Sequence, residues 1–296
     1  MLQLPLKSVS QNVTLPLRIQ LRLLYIFLVC AVPCAESCAQ QVAPHVAPHS
    51  SWLLTWSDEF DGPDGSAPDP AKWIVESGGD GWGNNELEYY TPRSKNIRVE
   101  NGNLVIEAIK ERFVGPDGVR SDYTSARLKT EGHFSQRYGR FEARIQIPSG
   151  QGAWPAFWML GDDHSVKGWP ACGEIDVMES VGSGTDTIEG SLHGPGYSGS
   201  KPLISAYRLP RGRFSDAFHV FAVEWEPRVV RFYVDDELYA TRTPADLPDG
   251  KPWVFDHSFF VLLNLAVGGD LPGRPGDSTI FPQRMLVDYV RVYKRK

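Results

Sequence analysis

The chain has 296 residues, a formal net charge of −6 and only four cysteines. An acidic protein repels the phosphates of nucleic acids and the headgroups of anionic lipids, so the charge argues against both as partners. The same repulsion disfavours a polyanionic substrate, and a neutral polymer is the better match. Nothing in the sequence indicates a protein partner, and we expect a monomer.

Residues 1–39 have the features of a removable export signal. Lys7, Arg18 and Arg22 form a basic lead, residues 23–35 are uninterruptedly apolar, and residues 37–39 supply small side chains for cleavage. The apolar run is shorter than the roughly 20 residues that span a bilayer, although the long leader leaves an uncleaved anchor open. Residues 40–51, with a doubled Val-Ala-Pro-His tract, are predicted to be a linker. The mature protein is therefore predicted to be secreted, either extracellular or periplasmic.

Cysteine use fits this division of the chain. Three of the four cysteines precede residue 40, so the mature protein would keep only Cys172 and could form no internal disulfide. No activating base is evident near Cys172, and we expect a small buried apolar side chain. Stability must then come from a hydrophobic core, which about 250 residues are enough to build.

Residues 52–296 are predicted to form one all-β catalytic domain. Short apolar or alternating runs are separated by Gly, Pro, Asn and Asp, and no segment keeps a helical period over three turns. This pattern of short strands and turns predicts an antiparallel sandwich or barrel. The predicted strands are 104–109, 139–147, 258–267 and 285–293, with a hairpin at 218–239 that turns at residues 226–227 or 235–236.

Tryptophans are unusually frequent around the middle of the chain. Trp154, Trp158 and Trp169 lie in Pro- and Gly-rich surroundings, and Trp154 and Trp169 are each followed by proline in a turn-like setting. Sugar rings stack on such side chains through their apolar faces, and the setting of Trp154 and Trp169 suits a cleft rim. The alternative is that the tryptophans are core residues, as we expect for about half of them. Trp56, Trp73 and Trp225 lie in patterned segments and are predicted to be packing residues.

The most informative segment is GEIDVMES at residues 173–180. Strand residues alternate between faces, so Glu174 and Asp176 point one way while Glu179, five residues on, points the other. One extra residue absorbed in a bulge near Val177 or Met178 would bring all three acids to one face. Such a row would line the floor of a cleft.

Two glutamates and an aspartate in a row fit the chemistry of glycoside cleavage. Asp176 between the glutamates could keep one ionised as a nucleophile, while mutual repulsion keeps the other protonated as an acid. Retaining and inverting glycosidases differ in the separation of their carboxyl pair, and the sequence does not choose between them. A solvated acidic edge is the alternative interpretation, which the surrounding aromatics and glycines disfavour.

The acidic motif, with Trp169 and Pro170 before it, resembles the signature of glycoside hydrolase family sixteen, in its laminarinase-like branch with the extra residue. The resemblance covers nearly everything from Trp52 to Tyr293 and includes WSDEF at 56–60, GNNE at 83–86, WPAFWML at 154–160 and NLAVGG at 264–269. It implies a jelly-roll β-sandwich of two antiparallel sheets with a concave substrate cleft. It also implies retaining endo-hydrolysis of a β-glucan, without a cofactor for catalysis.

By this resemblance, Glu174 corresponds to the nucleophile, Glu179 to the acid/base and Asp176 to the partner that tunes the pair. The candidate substrate-binding residues are Asn85, Arg127, Trp154, Trp158, Trp169 and His193. A structural role for His193 is the alternative. The resemblance further implies a structural Ca²⁺ held by Glu59, the carbonyl of Gly102, and Asp288, which would clamp the first strand to the last.

Several functions stay open at this point. The extra residue, Met178, favours an endo-β-1,3-glucanase over the strict mixed-linkage (β-1,3-1,4) branch, and agar, being neutral, is a further substrate to consider. A sulfated substrate such as carrageenan fits the acidic chain poorly. A non-catalytic β-glucan-binding protein is disfavoured because both glutamates are present. A transglycosylase would share the same intermediate and differ only in its acceptor.

Overall fold

The computed structural model describes residues 51–296, so the predicted leader and nearly all of the predicted linker lie outside the described residues. Short strands dominate this part of the chain, with one four-residue α-helix, α1 (His164–Lys167), and a 3₁₀ turn at Pro244–Asp246. None of the helices within residues 51–296 is long and apolar enough to span a membrane.

The strands are β1 Trp52–Asp58, β2 Ile74–Val75, β3 Glu88–Tyr90, β4 Ile97–Glu100, β5 Asn103–Val114, β6 Arg120–Ser125, β7 Arg127–Lys129, β8 Gly139–Gln146, β9 Ala153–Gly161, β10 Glu174–Glu179, β11 Thr187–His193, β12 Leu203–Arg208, β13 His219–Glu226, β14 Val229–Val234, β15 Glu237–Arg242, β16 Phe259–Val267 and β17 Gln283–Arg295.

Two sheets divide these strands between them. The larger has the order β15-β14-β13-β8-β17-β5-β6-β3, with β1 also paired to β17 and β4 to β5. The smaller has the order β12-β11-β10-β9-β16-β7-β2 and carries the acidic motif near its centre, on β10. Strand pairs are antiparallel except β3 and β6, which run parallel. The predicted jelly-roll-like sandwich of two antiparallel-rich sheets is confirmed.

Alternation along the strands explains why the sheets pack face to face. On β8, Phe141, Ala143 and Ile145 enter the core, while the charged residues between them, buried Glu142 and half-buried Arg144, lie on the opposite face of the sheet. On β10, Ile175, Val177 and Met178 supply the facing surface of the smaller sheet. Burying these side chains stabilises the fold by about 25 cal/mol for each Å² of apolar surface removed from water. It also fixes which face of each strand is left for function.

The strand predictions were largely confirmed, with one clear correction. The segment 218–239 was expected to be a single hairpin, but it begins a three-stranded meander in which β13, β14 and β15 turn at both proposed positions. Arg228, Asp235 and Asp236 adopt positive φ in these turns, which is why two tight reversals fit so close together. The predicted packing of Trp73, Trp225 and Cys172 is confirmed, since all three are buried.

Candidate active site

The predicted bulge lies within β10 and brings three acids to one face. The pairing register between β10 and β9 shifts between Asp176 and Met178, so Val177, and not Met178 as the resemblance implied, is the extra residue. Val177 and Met178 both enter the hydrophobic core, although they are adjacent in sequence. Two successive inward side chains restore Glu179 to the face that carries Glu174 and Asp176.

A second polar row lies beside the acids on β11. In the antiparallel register, His193 pairs with Glu174 and Ser191 pairs with Asp176. Ser191 Oγ donates a hydrogen bond of 2.5 Å to Asp176 Oδ2, and His193 Nε2 lies 3.0 Å from the same oxygen. The structure therefore places His193 in the site, in contact with the central aspartate and 3.9 Å from Glu174 Oε1.

Each glutamate of the trio receives a hydrogen bond from an indole. Trp169 Nε1 donates to Glu174 Oε2 at 2.6 Å, and Trp154 Nε1 donates to Glu179 Oε1 at 3.0 Å. Trp169 is half-exposed on the turn before β10, as its setting predicted. Trp154 is not in a turn: it lies within β9, because β9 continues through Pro155 beside β10. Both indoles therefore orient a carboxylate.

The charged groups of the site shift one another's pKa values. Burial, followed by the charge of Asp176, raises the pKa of Glu174 and raises the pKa of Glu179 to about 8. The pKa of His193 is raised to about 9 by the neighbouring carboxylates, Asp176 foremost, despite the opposing effect of burial. Three carboxyl groups this close cannot all be ionised at neutral pH, so the trio retains a proton. An indole donates to each glutamate, and the charge of His193 lowers the pKa of both. His193 is in ion-pair range of Glu174, at 3.9 Å.

An ordered platform continues from the acids toward β16 and β7. Trp158 is the β9 partner of Asp176, and its Nε1 donates a hydrogen bond of 2.8 Å to Asn264 Oδ1. Asn264 Nδ2 donates to the hydroxyl of Tyr90, which donates in turn to Glu86 Oε2 at 2.9 Å. This buried chain fixes the plane of the Trp158 indole.

Arg127 belongs to the same platform. Its guanidinium lies 4.7 Å from the ring centroid of Trp82 and 4.8 Å from that of Trp158, and its Nε donates to Glu76 Oε2. Stacking between two indoles and a carboxylate bond hold the cation in place. Arg127 therefore supports the faces of Trp82 and Trp158.

Asn85 lies on a loop at the far side of this platform. Its Nδ2 donates to both carboxylate oxygens of Asp270, at 2.9 and 3.2 Å, which ties the loop after β16 to residues 81–86. Gly269, at φ +104°, passes so close to Trp154 that an added Cβ would lie 3.3 Å from the ring. Only glycine adopts that backbone conformation readily, so this loop can pack against the indole that contacts Glu179.

The three positions predicted for calcium meet at one corner of the larger sheet. Asp58 pairs with Val290 on β17, and Leu104 pairs with Val287, which brings the neighbouring residues Glu59, Gly102 and Asp288 together. Both carboxylate oxygens of Glu59 accept hydrogen bonds from Arg291. Arg144 Nη1 bonds Oδ2 of Asp288. Both carboxylates predicted to hold Ca²⁺ are therefore engaged by arginines in this structure.

Several residues of the site were not predicted from the sequence. Ser191 contacts Asp176 directly, and the alternation of Ser191 and His193 along one strand was a usable signal for it. Glu76, Glu86 and Asn264 act through hydrogen bonds to Arg127 and, along the chain of hydrogen bonds, to Trp158. Their partners are distant in sequence, so no local pattern identifies them.

A β-sandwich with a row of three neighbouring carboxylates on one sheet, flanked by indoles, is the arrangement of a hydrolase that cleaves glycosidic bonds. The chain belongs to glycosyl hydrolases family 16, whose model matches residues 84–281. It is accordingly a glycoside hydrolase.

Known relatives agree with this assignment. A β-glucanase of Rhodothermus marinus is 45% identical, over 82% of this chain and 85% of that protein. Among solved structures, the laminarinase catalytic domain of Thermotoga maritima MSB8 is 50% identical with a TM-score of 0.78, covering 82% of this chain and 98% of that one. The endo-β-1,3-glucanase of Pyrococcus furiosus is 48% identical with a TM-score of 0.79, covering 83% and 95%. Two further curated relatives are longer, and the chain spans 34% and 38% of their lengths.

Proposed function

We propose that this protein is an endo-β-1,3-glucanase that hydrolyses laminarin-like chains with retention of anomeric configuration. The observation that carries the proposal is the single face shared by Glu174, Asp176 and Glu179 across the β10 bulge. Similar proteins described as laminarinases and endo-β-1,3-glucanases supply the substrate class. The acidic chain favours a neutral glucan over a charged polysaccharide.

The proposed reaction has two displacements at the anomeric carbon. Glu174 attacks C1 through a carboxylate oxygen while Glu179 transfers its proton to the departing glycosidic oxygen, which leaves a glycosyl ester on Glu174. Glu179, now ionised, then takes a proton from water as the water oxygen bonds to C1 and the Glu174 carboxylate departs. Asp176, held by Ser191 and His193, keeps its charge fixed between the two glutamates.

A product profile tests this function. Laminarin, lichenan and agarose should be incubated with the enzyme, the products read by mass, and the anomeric configuration followed by proton NMR before mutarotation. We expect laminarin to be cut into short oligosaccharides with an initial β-anomer. Absence of laminarin hydrolysis, or an initial α-anomer, would overturn the proposal.

Mixed-linkage glucan is a second candidate substrate. A solved relative, 38% identical with a TM-score of 0.75, is described as a non-specific endo-β-1,3(4)-glucanase. Faster cleavage of lichenan than of laminarin would assign this chain to that broader specificity, and agarose cleavage would assign it to neither.

We also propose a structural Ca²⁺ at the corner formed by Glu59, Gly102 and Asp288, supported by the oxygen donors that the strand register brings together. An ion that binds only the folded state stabilises it, so excess chelator should lower the melting temperature by about 5–10 °C. The Asp288→Asn variant should lose this response to chelator. A wild-type melting curve that does not move with EDTA would remove the ion from the account.

Export of the mature protein is a further proposal, supported by the basic and apolar pattern of residues 1–39. N-terminal sequencing of the protein recovered outside the cytoplasm should begin just after Ala39. Recovery of the full-length chain in a membrane fraction would instead support an uncleaved anchor.

A further inference from the structure

A fourth carboxylate stands beside the trio, on the neighbouring strand. Glu189 on β11 is the direct register partner of Glu179 on β10. The residues on either side of it, Ile188 and Gly190, are buried, so Glu189 shares the outward face with Ser191 and His193. Directly opposed residues of an antiparallel pair have Cβ atoms about 4.5–5.5 Å apart, which places the two carboxyl groups within strong electrostatic range.

The charge of Glu189 has no compensating partner among residues 51–296. No hydrogen bond or ion pair is formed by its carboxylate in this part of the chain, and burial alone raises its pKa. The cations of this region are engaged elsewhere: Arg208 with Asp186, His193 with Asp176, and Arg242 with the carbonyl oxygen of Ile204. On its other side Glu189 pairs with Ala206, which carries no charge.

We propose that Glu189 is a positioning residue for the acid/base, whose unneutralised carboxylate keeps the proton on Glu179 until a glycosidic oxygen takes it. This inference rests on the proposed function and goes beyond it, because it assigns to the same site a charged group outside the trio. Glu189 acts through Glu179 and need not touch the sugar undergoing cleavage.

The two displacements show why a permanent neighbouring charge is useful. When Glu174 becomes an ester, its negative charge disappears, and with it part of the repulsion that made Glu179 hold a proton. Glu189 does not react, so its charge persists through both steps. It therefore keeps Glu179 basic enough to take the proton from water when the ester is hydrolysed.

Other groups also face Glu179, and they set the background against which Glu189 acts. Asp176 and Glu189 raise its pKa, while His193 and the indole of Trp154 lower it. Glu174 lies on the same strand and titrates with it. Among these, Glu189 is the only one that can be neutralised without changing a residue bonded to the trio.

The test is the pH profile of kcat/KM for laminarin in the Glu189→Gln variant. The alkaline limb reports loss of the Glu179 proton in the free enzyme, because the first displacement needs the protonated acid. Removing a nearby negative charge lowers the pKa of Glu179, so this limb should move to lower pH by about 0.5–1 unit. The acid limb, which reports ionisation of the nucleophile, should move much less.

Two matched variants complete the experiment. Glu189→Asp keeps the charge and should keep the limb near its wild-type position. Asp122→Asn removes an exposed carboxylate from β6 of the larger sheet and should leave the whole profile unchanged. Melting temperatures of all variants show that each profile belongs to a folded enzyme.

The outcomes separate this inference from the proposed function. An unmoved alkaline limb in Glu189→Gln, with or without a change in KM, would overturn the role given to Glu189 while leaving the glucanase intact. A shift shared equally by Glu189→Asp would also overturn it, because charge would not be the cause. Failure of the wild-type protein to hydrolyse laminarin would defeat the proposed function, and this inference with it.

Discussion

Replacing Glu174 by serine should abolish hydrolysis of laminarin while leaving the protein able to bind it. Without the carboxylate no glycosyl ester can form, and loss of a catalytic nucleophile typically lowers kcat by a factor on the order of 10⁴–10⁶. The predicted sugar-binding surface, Trp158 with Arg127 stacked on it, does not depend on Glu174 for its hydrogen bonds. Hydrolysis is measured by reducing-sugar release, and binding by calorimetry with laminarin.

A matched control for this variant is Glu237→Ser, which removes an exposed glutamate from β15 of the larger sheet. It should hydrolyse laminarin at the wild-type rate. If Glu174→Ser hydrolysed laminarin equally fast, Glu174 would not be the nucleophile. Retained binding without turnover in the wild-type protein would instead indicate a glucan-binding protein.

The second large effect is expected from Glu179→Gln, and it should depend on the leaving group. Glutamine cannot donate the proton that a sugar leaving group needs, so laminarin hydrolysis should fall by about 10²–10⁴-fold. An aryl β-glucoside oligomer with a good leaving group needs no such proton and should still form the glycosyl ester. Added azide should then accelerate the second step, because an anionic nucleophile needs no general base.

The product of that rescue is diagnostic. Azide attack on the ester at Glu174 should give a β-glycosyl azide, identified by mass and NMR. An α-azide would indicate direct displacement without an enzyme-bound ester. Equal losses on laminarin and on the aryl substrate, with no azide effect, would mean that Glu179 is not the acid/base.

The acidic row could be predicted from the sequence because it obeys local rules. Two-residue alternation with one extra residue, at Val177 or Met178, puts Glu174, Asp176 and Glu179 on a common face, and Val177 occupies the bulge. The central strands were also accessible, because apolar runs such as β16 are buried along their whole length. The catalytic roles themselves stay predictions until the variants are measured.

Residues whose function depends on distant partners could not be predicted from the sequence. Glu189 matters because β11 pairs with β10, and a strand register is not encoded in either strand alone. Trp154 was expected in a turn because proline follows it, yet its pairing with Ala266 on β16 keeps it in β9. The extra strand of the 218–242 meander was missed because both turn signals are used.

A double displacement through Glu174 is tested most directly by trapping the covalent intermediate. The wild-type enzyme should be incubated with a 2-deoxy-2-fluoro laminaribiosyl fluoride, digested, and sequenced by mass spectrometry. We predict one 2-deoxy-2-fluoro laminaribiosyl group per protein, esterified to Glu174. Attachment to Asp176 or Glu179, or an unlabelled enzyme that still hydrolyses laminarin with inversion, would contradict a double displacement built on this strand.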